Sequence, residues 1–146
     1  MDPIELNAGR FYLRPLRHDE RVDDTVALGK AHGRAVTEEY IADAHADFAA
    51  GRVFRWAVCE QADVELIGEV IVTPVDEDEA EIVVYAAGDP KRVIENDDPT
   101  VEPVTVSEGC TAAKDTVRRW VEQSLGRKAV APRPYPGRQG ESRPVS

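Results

Sequence analysis

The chain lacks any long hydrophobic run. Its apolar stretches stop far short of the roughly 18–20 residues a membrane-spanning helix needs, so no membrane partner is expected. Cysteine is scarce. Cys59 and Cys110 stand alone and far apart, which excludes a disulfide framework and fits two reduced thiols in a cytoplasmic protein. The opening MDPIELNAGRFYL has no basic stretch followed by an apolar one, so no secretory signal is expected. Basic charge is also short: the net charge is −10 over 146 residues. The deficit is uneven. From Arg127 onward five basic residues stand against Glu141 alone, a net of +4, which leaves −14 on residues 1–126. An acidic body repels phosphates, so general nucleic-acid binding is not expected. Asp43, His45 and Asp47 are close in sequence, but on a helix the two aspartates share a face and His45 points elsewhere, so no metal site is expected.

What is present suits one soluble globular domain. An apolar share of 42% with 32% charged residues, over this length, supports a real core. The organising stretch is Val64–Asp89, which reads as two strands around an acidic turn. Leu66, Val70 and Val72 alternate with Ile67 and Ile71 in the first strand, and Ile82, Val83, Val84 and Tyr85 run continuously in the second. Such runs belong to strands covered on both faces. Asp76-Glu77-Asp78-Glu79 is too costly to bury and marks the turn. Gly68 inside the first strand implies a bulge or a close backbone contact.

Taken in order, Phe11–Leu16 reads as a strand after a turn at Asn7-Ala8-Gly9. Asp19 reads as the cap of a helix over Glu20–His32, with Val22, Val26 and Leu28 partly on one face and Gly33 as the stop. Thr37 opens a second helix with Tyr40, Ile41, Ala44 and Phe48 as its apolar stripe, ending at Gly51. Val53–Glu60 alternates as a strand. Lys91–Pro103 reads as an exposed loop, and Val101, Val104 and Val106 as a short edge strand. Ser107 then caps a third helix, in which Ala113, Val117, Trp120, Val121 and Leu125 keep the helical period up to Gly126. The predicted class is α+β, a mostly antiparallel sheet flanked by helices over residues 1–126. Residues 127–146, with four prolines and two glycines, read as an extended basic tail.

The strand, two helices, three strands and helix resemble the first two-thirds of the GNAT superfamily of N-acetyltransferases, nearest the branch that acetylates ribosomal proteins and amino termini. FYLRPLRHDE resembles its opening strand, LIGEVIV its third strand and AEIVVYAAGDP its fourth. The resemblance covers about residues 5–90 well and 107–126 weakly. It implies an acetyl-CoA site in which backbone N–H groups at a helix N-terminus hold the pyrophosphate. Here that stretch is Ser107-Glu108-Gly109-Cys110-Thr111. Gly109 matches one glycine, Thr111 stands where a second belongs, and Glu108 falls where the family often has arginine. The family also continues into a fifth strand that forms one wall of the cofactor cleft, and residues 127–146 show no such strand.

Two functions follow. One is a non-catalytic, GNAT-like interaction or assembly subunit with no cofactor, for example in a larger particle such as a virion. Its protein partner is met through Arg127, Lys128, Arg133, Arg138 and Arg143. The other is a divergent N-acetyltransferase using acetyl-CoA. The resemblance then implies Glu81 as general base, Tyr85 lining the acyl site, and Gly109, Cys110 and Thr111 at the cofactor, with Lys91 and Arg92, or a partner chain, supplying the lost phosphate contacts.

Overall fold

Residues 1–95 and 98–132 are described by the structure, a computed structural model. In chain order they form β1 (Leu6–Ala8), β2 (Phe11–Arg14), α1 (Thr25–His32), α2 (Glu38–Ala50), β3 (Phe54–Glu60), β4 (Gly68–Pro74), β5 (Glu79–Ala86), β6 (Val93–Ile94), β7 (Val104–Thr105), α3 (Val106–Ser124) and β8 (Lys128–Val130). Six strands make one sheet in the order β1-β2-β3-β4-β5-β8, antiparallel except where β8 runs parallel to β5. β6 and β7 pair separately. The class is α+β, as predicted.

The sheet is covered on both faces, which is why β4 and β5 read as apolar runs and not as alternations. α3 covers one face. Its buried Val106, Gly109, Cys110, Ala113, Val117, Trp120 and Val121 recur at helical spacing and meet Phe11, Leu13, Phe54, Trp56, Val70, Val72, Ile82 and Val84. α1 and α2 cover the other face, where Leu28, Ile41 and Ala44 meet Ala57, Cys59, Ile71, Val83 and Tyr85. Phe48, late in α2, reaches round to the α3-side cluster and packs edge-on against Phe54 and Trp56.

Gly68 marks a close contact. A Cβ there would lie 2.8 Å from the Cys110 Sγ of α3 and 3.0 Å from the Tyr85 carbonyl oxygen. Gly68→Ala is therefore expected to cost about 1–3 kcal/mol by overpacking. Urea denaturation measures it, and an unchanged midpoint would mean that α3 moves off the sheet at little cost.

Several boundaries differ from the sequence reading. The first strand is preceded by β1, so the turn falls at Gly9-Arg10 and not at Asn7–Gly9. α1 starts at Thr25. Asp19 instead takes the N–H groups of Arg21 and Val22 in a local turn, a side-chain bond that competes with helix. That register leaves Val26 68% exposed, outside any apolar face. α3 is capped by Thr105 and not by Ser107. Thr105 and Glu108 form a reciprocal capping box, and Val104–Thr105 supplies the short edge strand.

The segment expected to be a tail contributes β8. Three residues, KAV, carry no readable strand pattern; the exposed edge of β5 supplies the pairing. Lys128 donates its N–H to the Asp78 carbonyl at 2.8 Å, so every second residue from there aims its N–H at β5. Val130 follows, and then Pro132, which has no N–H to give. The ladder ends there. Arg133, Arg138 and Arg143 lie outside the described residues.

Candidate functional site

β4 and β5 place two glutamates and a tyrosine on the α1–α2 side of the sheet, because residues two apart share a face. Glu69 is opposite Tyr85, and Glu81 opposite Thr73. Two helix ends meet above Glu69. His32 is the last residue of α1, and Tyr40 lies in the first turn of α2. Arg55 reaches in from β3.

The result is a buried polar network. Glu69 is 0% exposed and His32 3%. His32 Nε2 lies 2.5 Å from Glu69 Oε1, and the Tyr40 hydroxyl donates to both carboxylate oxygens at 3.0 and 2.9 Å. The Arg55 guanidinium sits 4.8 Å from the centre of the Tyr40 ring, and its Nη1 is 3.7 Å from Glu69 Oε2. The Tyr85 ring packs 4.8 Å from that of His32. Burial, then the Glu69 charge, push the Tyr40 hydroxyl well above its ordinary pKa, so it stays protonated and donates. A carboxylate here is tolerable only because three groups satisfy it. Carboxylate, imidazole and phenol are the groups that move protons, yet Glu69 is sealed from solvent beneath Tyr40 and Arg55. In this geometry the network locks α1 and α2 to the sheet.

Of these residues only Tyr85 was singled out in the sequence as a site candidate. His32 shows no partner by spacing because Glu69 is 37 positions away. The available signal was Glu69 itself, a charge inside the apolar IGEVIV run of a strand buried on both faces. A second buried pair explains the LRPL motif. Arg14 forks onto both oxygens of Asp24 at 2.8 Å and donates to the Val64 carbonyl, while Asp24 also takes the Arg17 N–H. The motif thus pins β2 to the start of α1.

The sequence-predicted residues are placed as follows. Glu81 is 2% exposed and is neighboured by Val130 of β8. Tyr85 is buried against His32. Lys91 and Arg92 are exposed on the loop after β5. Gly109 faces the core, where a Cβ would lie 2.7 Å from the Phe11 ring and 2.9 Å from Ile67. Cys110 is fully buried, and burial pushes its thiol up to about 12. Thr111 is exposed. Arg127 donates to the Asp76 carbonyl at 2.7 Å and braces β8 against the hairpin, whereas Lys128 is exposed. His45 Nε2 lies 2.6 Å from the Leu16 carbonyl oxygen.

The N-terminus of α3 is already occupied. The Val106 N–H donates to the Arg92 carbonyl at 3.0 Å, the Ser107 N–H to the Pro90 carbonyl at 2.8 Å and the Glu108 N–H to Thr105 Oγ1 at 3.2 Å. Glu108 Oε1 in turn accepts from the Thr105 N–H. The donors that an anion would need are spent on the chain's own oxygens.

No family model matches the chain, and no curated protein matches it. Among solved structures it is similar to the crystal structure of a probable acetyltransferase, with a TM-score of 0.56 and 14% sequence identity over 84% of this chain and 69% of the other. At that identity the likeness concerns the fold: an acetyltransferase-like α+β architecture.

Proposed function

We propose that this chain uses an acetyltransferase-type fold as a protein-interaction subunit and does not hold acetyl-CoA at α3. One observation carries the reading. The first-turn N–H groups of α3 already donate to Arg92, Pro90 and Thr105. A pyrophosphate there would have to displace those bonds and lie beside the Glu108 carboxylate, so the residues present do not fit the cofactor. Gly109 and Cys110 are committed to the core and offer no approach to a phosphate. The partner contact is assigned to the basic C-terminal segment through Arg133, Arg138 and Arg143, since Arg127 is engaged with the hairpin.

A second reading, an acetyl-CoA-dependent N-acetyltransferase, is favoured by β8. This strand stands where a second cleft wall belongs. The ladder pairs Glu79–Glu81 with Lys128–Val130, and past Val130 the outer edge of β5 has no strand neighbour among the described residues. In that reading Glu81 is the base and Tyr85 lines the acyl site, with Lys91 and Arg92 supplying phosphate contacts from the loop.

Calorimetry with acetyl-CoA separates the two. The expected dissociation constant is no tighter than about 1 mM, equivalent to roughly −4.1 kcal/mol. Micromolar binding, with acetyl transfer that falls in Glu81→Gln, would establish the second reading.

A further inference from the structure

Two clefts lie side by side at the end of the molecule where β5 leaves the sheet. One of about 590 Å³ lies between α1, Leu66 and Ala87–Arg92. The other, of about 290 Å³, lies between the β3–β4 turn and β6. Glu65 and Arg92 line both, so the two clefts adjoin as a groove in two parts. Its carboxylates are Glu60, Asp63, Glu65, Glu95, Asp23 and Asp89, against only Lys30 and Arg92. The Glu65 and Glu95 carboxylates make no ion pair or hydrogen bond among the described residues, unlike Asp63 and Asp89, which cap local backbone N–H groups.

The groove is also where apolar surface is left uncovered. Five large hydrophobic residues are exposed among the described residues, and two of them line these clefts, Val26 (68%) in one and Val93 (52%) in the other. Exposed valines beside carboxylates make a surface that neither a free cation nor a purely apolar segment fits.

We infer that this groove docks an extended peptide of a partner protein in which arginine or lysine alternates with an apolar residue. The inference rests on the interaction-subunit reading and adds a second contact, separate from the basic C-terminal segment. In an extended strand alternate side chains point to opposite sides, so one side of such a peptide meets the carboxylates while the other covers the valines. Opposite charge speeds encounter, and desolvation of the valines supplies the part of the affinity that salt does not screen. A phosphate-bearing ligand is repelled by the same carboxylates.

The test is fluorescence anisotropy with the full chain and a labelled Arg-Val-Arg-Val-Arg-Val peptide, compared with Arg-Ser-Arg-Ser-Arg-Ser and with spermine as competitor. The Arg-Val peptide is expected to bind at least tenfold tighter than the Arg-Ser peptide, and spermine to compete only at low salt. The double variant Glu65→Lys/Glu95→Lys should lose at least tenfold, and Val26→Ser/Val93→Ser several-fold. Glu77→Lys/Glu122→Lys makes the same charge change on the hairpin and on α3, and should leave binding within about twofold. Equal losses in the two charge-reversed proteins would show attraction to net charge alone and overturn the groove, as would equal binding of the two peptides or no binding at all. Far-ultraviolet circular dichroism of each variant separates lost binding from lost fold. Acetyl-CoA titration of the same protein reports on the interaction-subunit reading independently.

Discussion

Trp120→Ala is expected to cost about 3–5 kcal/mol of folding stability, the range for removing a buried aromatic from a packed core. Trp120 is 7% exposed and stands where three elements converge. Its ring lies 5.0 Å from Trp56 and 5.1 Å from Phe54, both near edge-on, and 6.3 Å from Phe48. Such pairs contribute roughly 0.5–1.5 kcal/mol each beyond the area they bury. The alanine would open a cavity between α3, β3 and α2 that none of those elements can fill, since the helix is held at its other end by the Gly68–Cys110 and Gly109–Phe11 contacts. Urea denaturation followed by circular dichroism gives the value. A loss below about 1 kcal/mol would mean that α3 packs loosely.

Glu69→Ala is expected to cost a similar amount, about 3–5 kcal/mol, by a different mechanism. Deleting one partner of a buried charge cluster strands the others. His32 and the Tyr40 hydroxyl would lose their acceptor, and Arg55 its nearest carboxylate. Arg55 reaches partly into solvent and recovers some hydration, so the penalty falls mainly on His32 and Tyr40. Tyr40→Phe removes one hydrogen-bonding group while leaving Glu69 with His32, and about 1–2 kcal/mol is expected. Chemical denaturation of both variants checks the order. If Glu69→Ala lost no more than Tyr40→Phe, the network would be an incidental contact and not the lock between α1–α2 and the sheet.

The layer architecture was legible because burial on both faces leaves a mark in sequence. Ile82–Tyr85 is apolar at every position, and α3 repeats its apolar residues from Ala113 to Val121 at helical spacing. Capping was less legible. Ser107 and Thr105 are both good caps, and the choice fell to Thr105 because Glu108 lies three residues on and completes the box. Asp19 and Asp24 pose the same problem for α1. Asp19 has the right chemistry for a cap, but its carboxylate serves the Arg21 and Val22 N–H groups, and the helix begins one turn later.

The candidate site was mostly illegible. Glu81 and Tyr85 were named through resemblance, which gives positions without saying what surrounds them. Glu69, His32, Tyr40 and Arg55 come from four elements, and no sequence spacing brings them together. The sequence by itself determined the four strands β2 to β5, the three helices in outline, the acidic body and the basic end, because propensity, periodicity and charge are local properties of a chain. Tertiary structure alone decided that KAV becomes a strand, that a strand glutamate is sealed under two helices, and that the α3 N–H groups close on Pro90 and Arg92. Each of those depends on a partner far away in sequence, and the free energy of burying a charge or filling a hydrogen bond is set by that partner and not by the residue that carries the group.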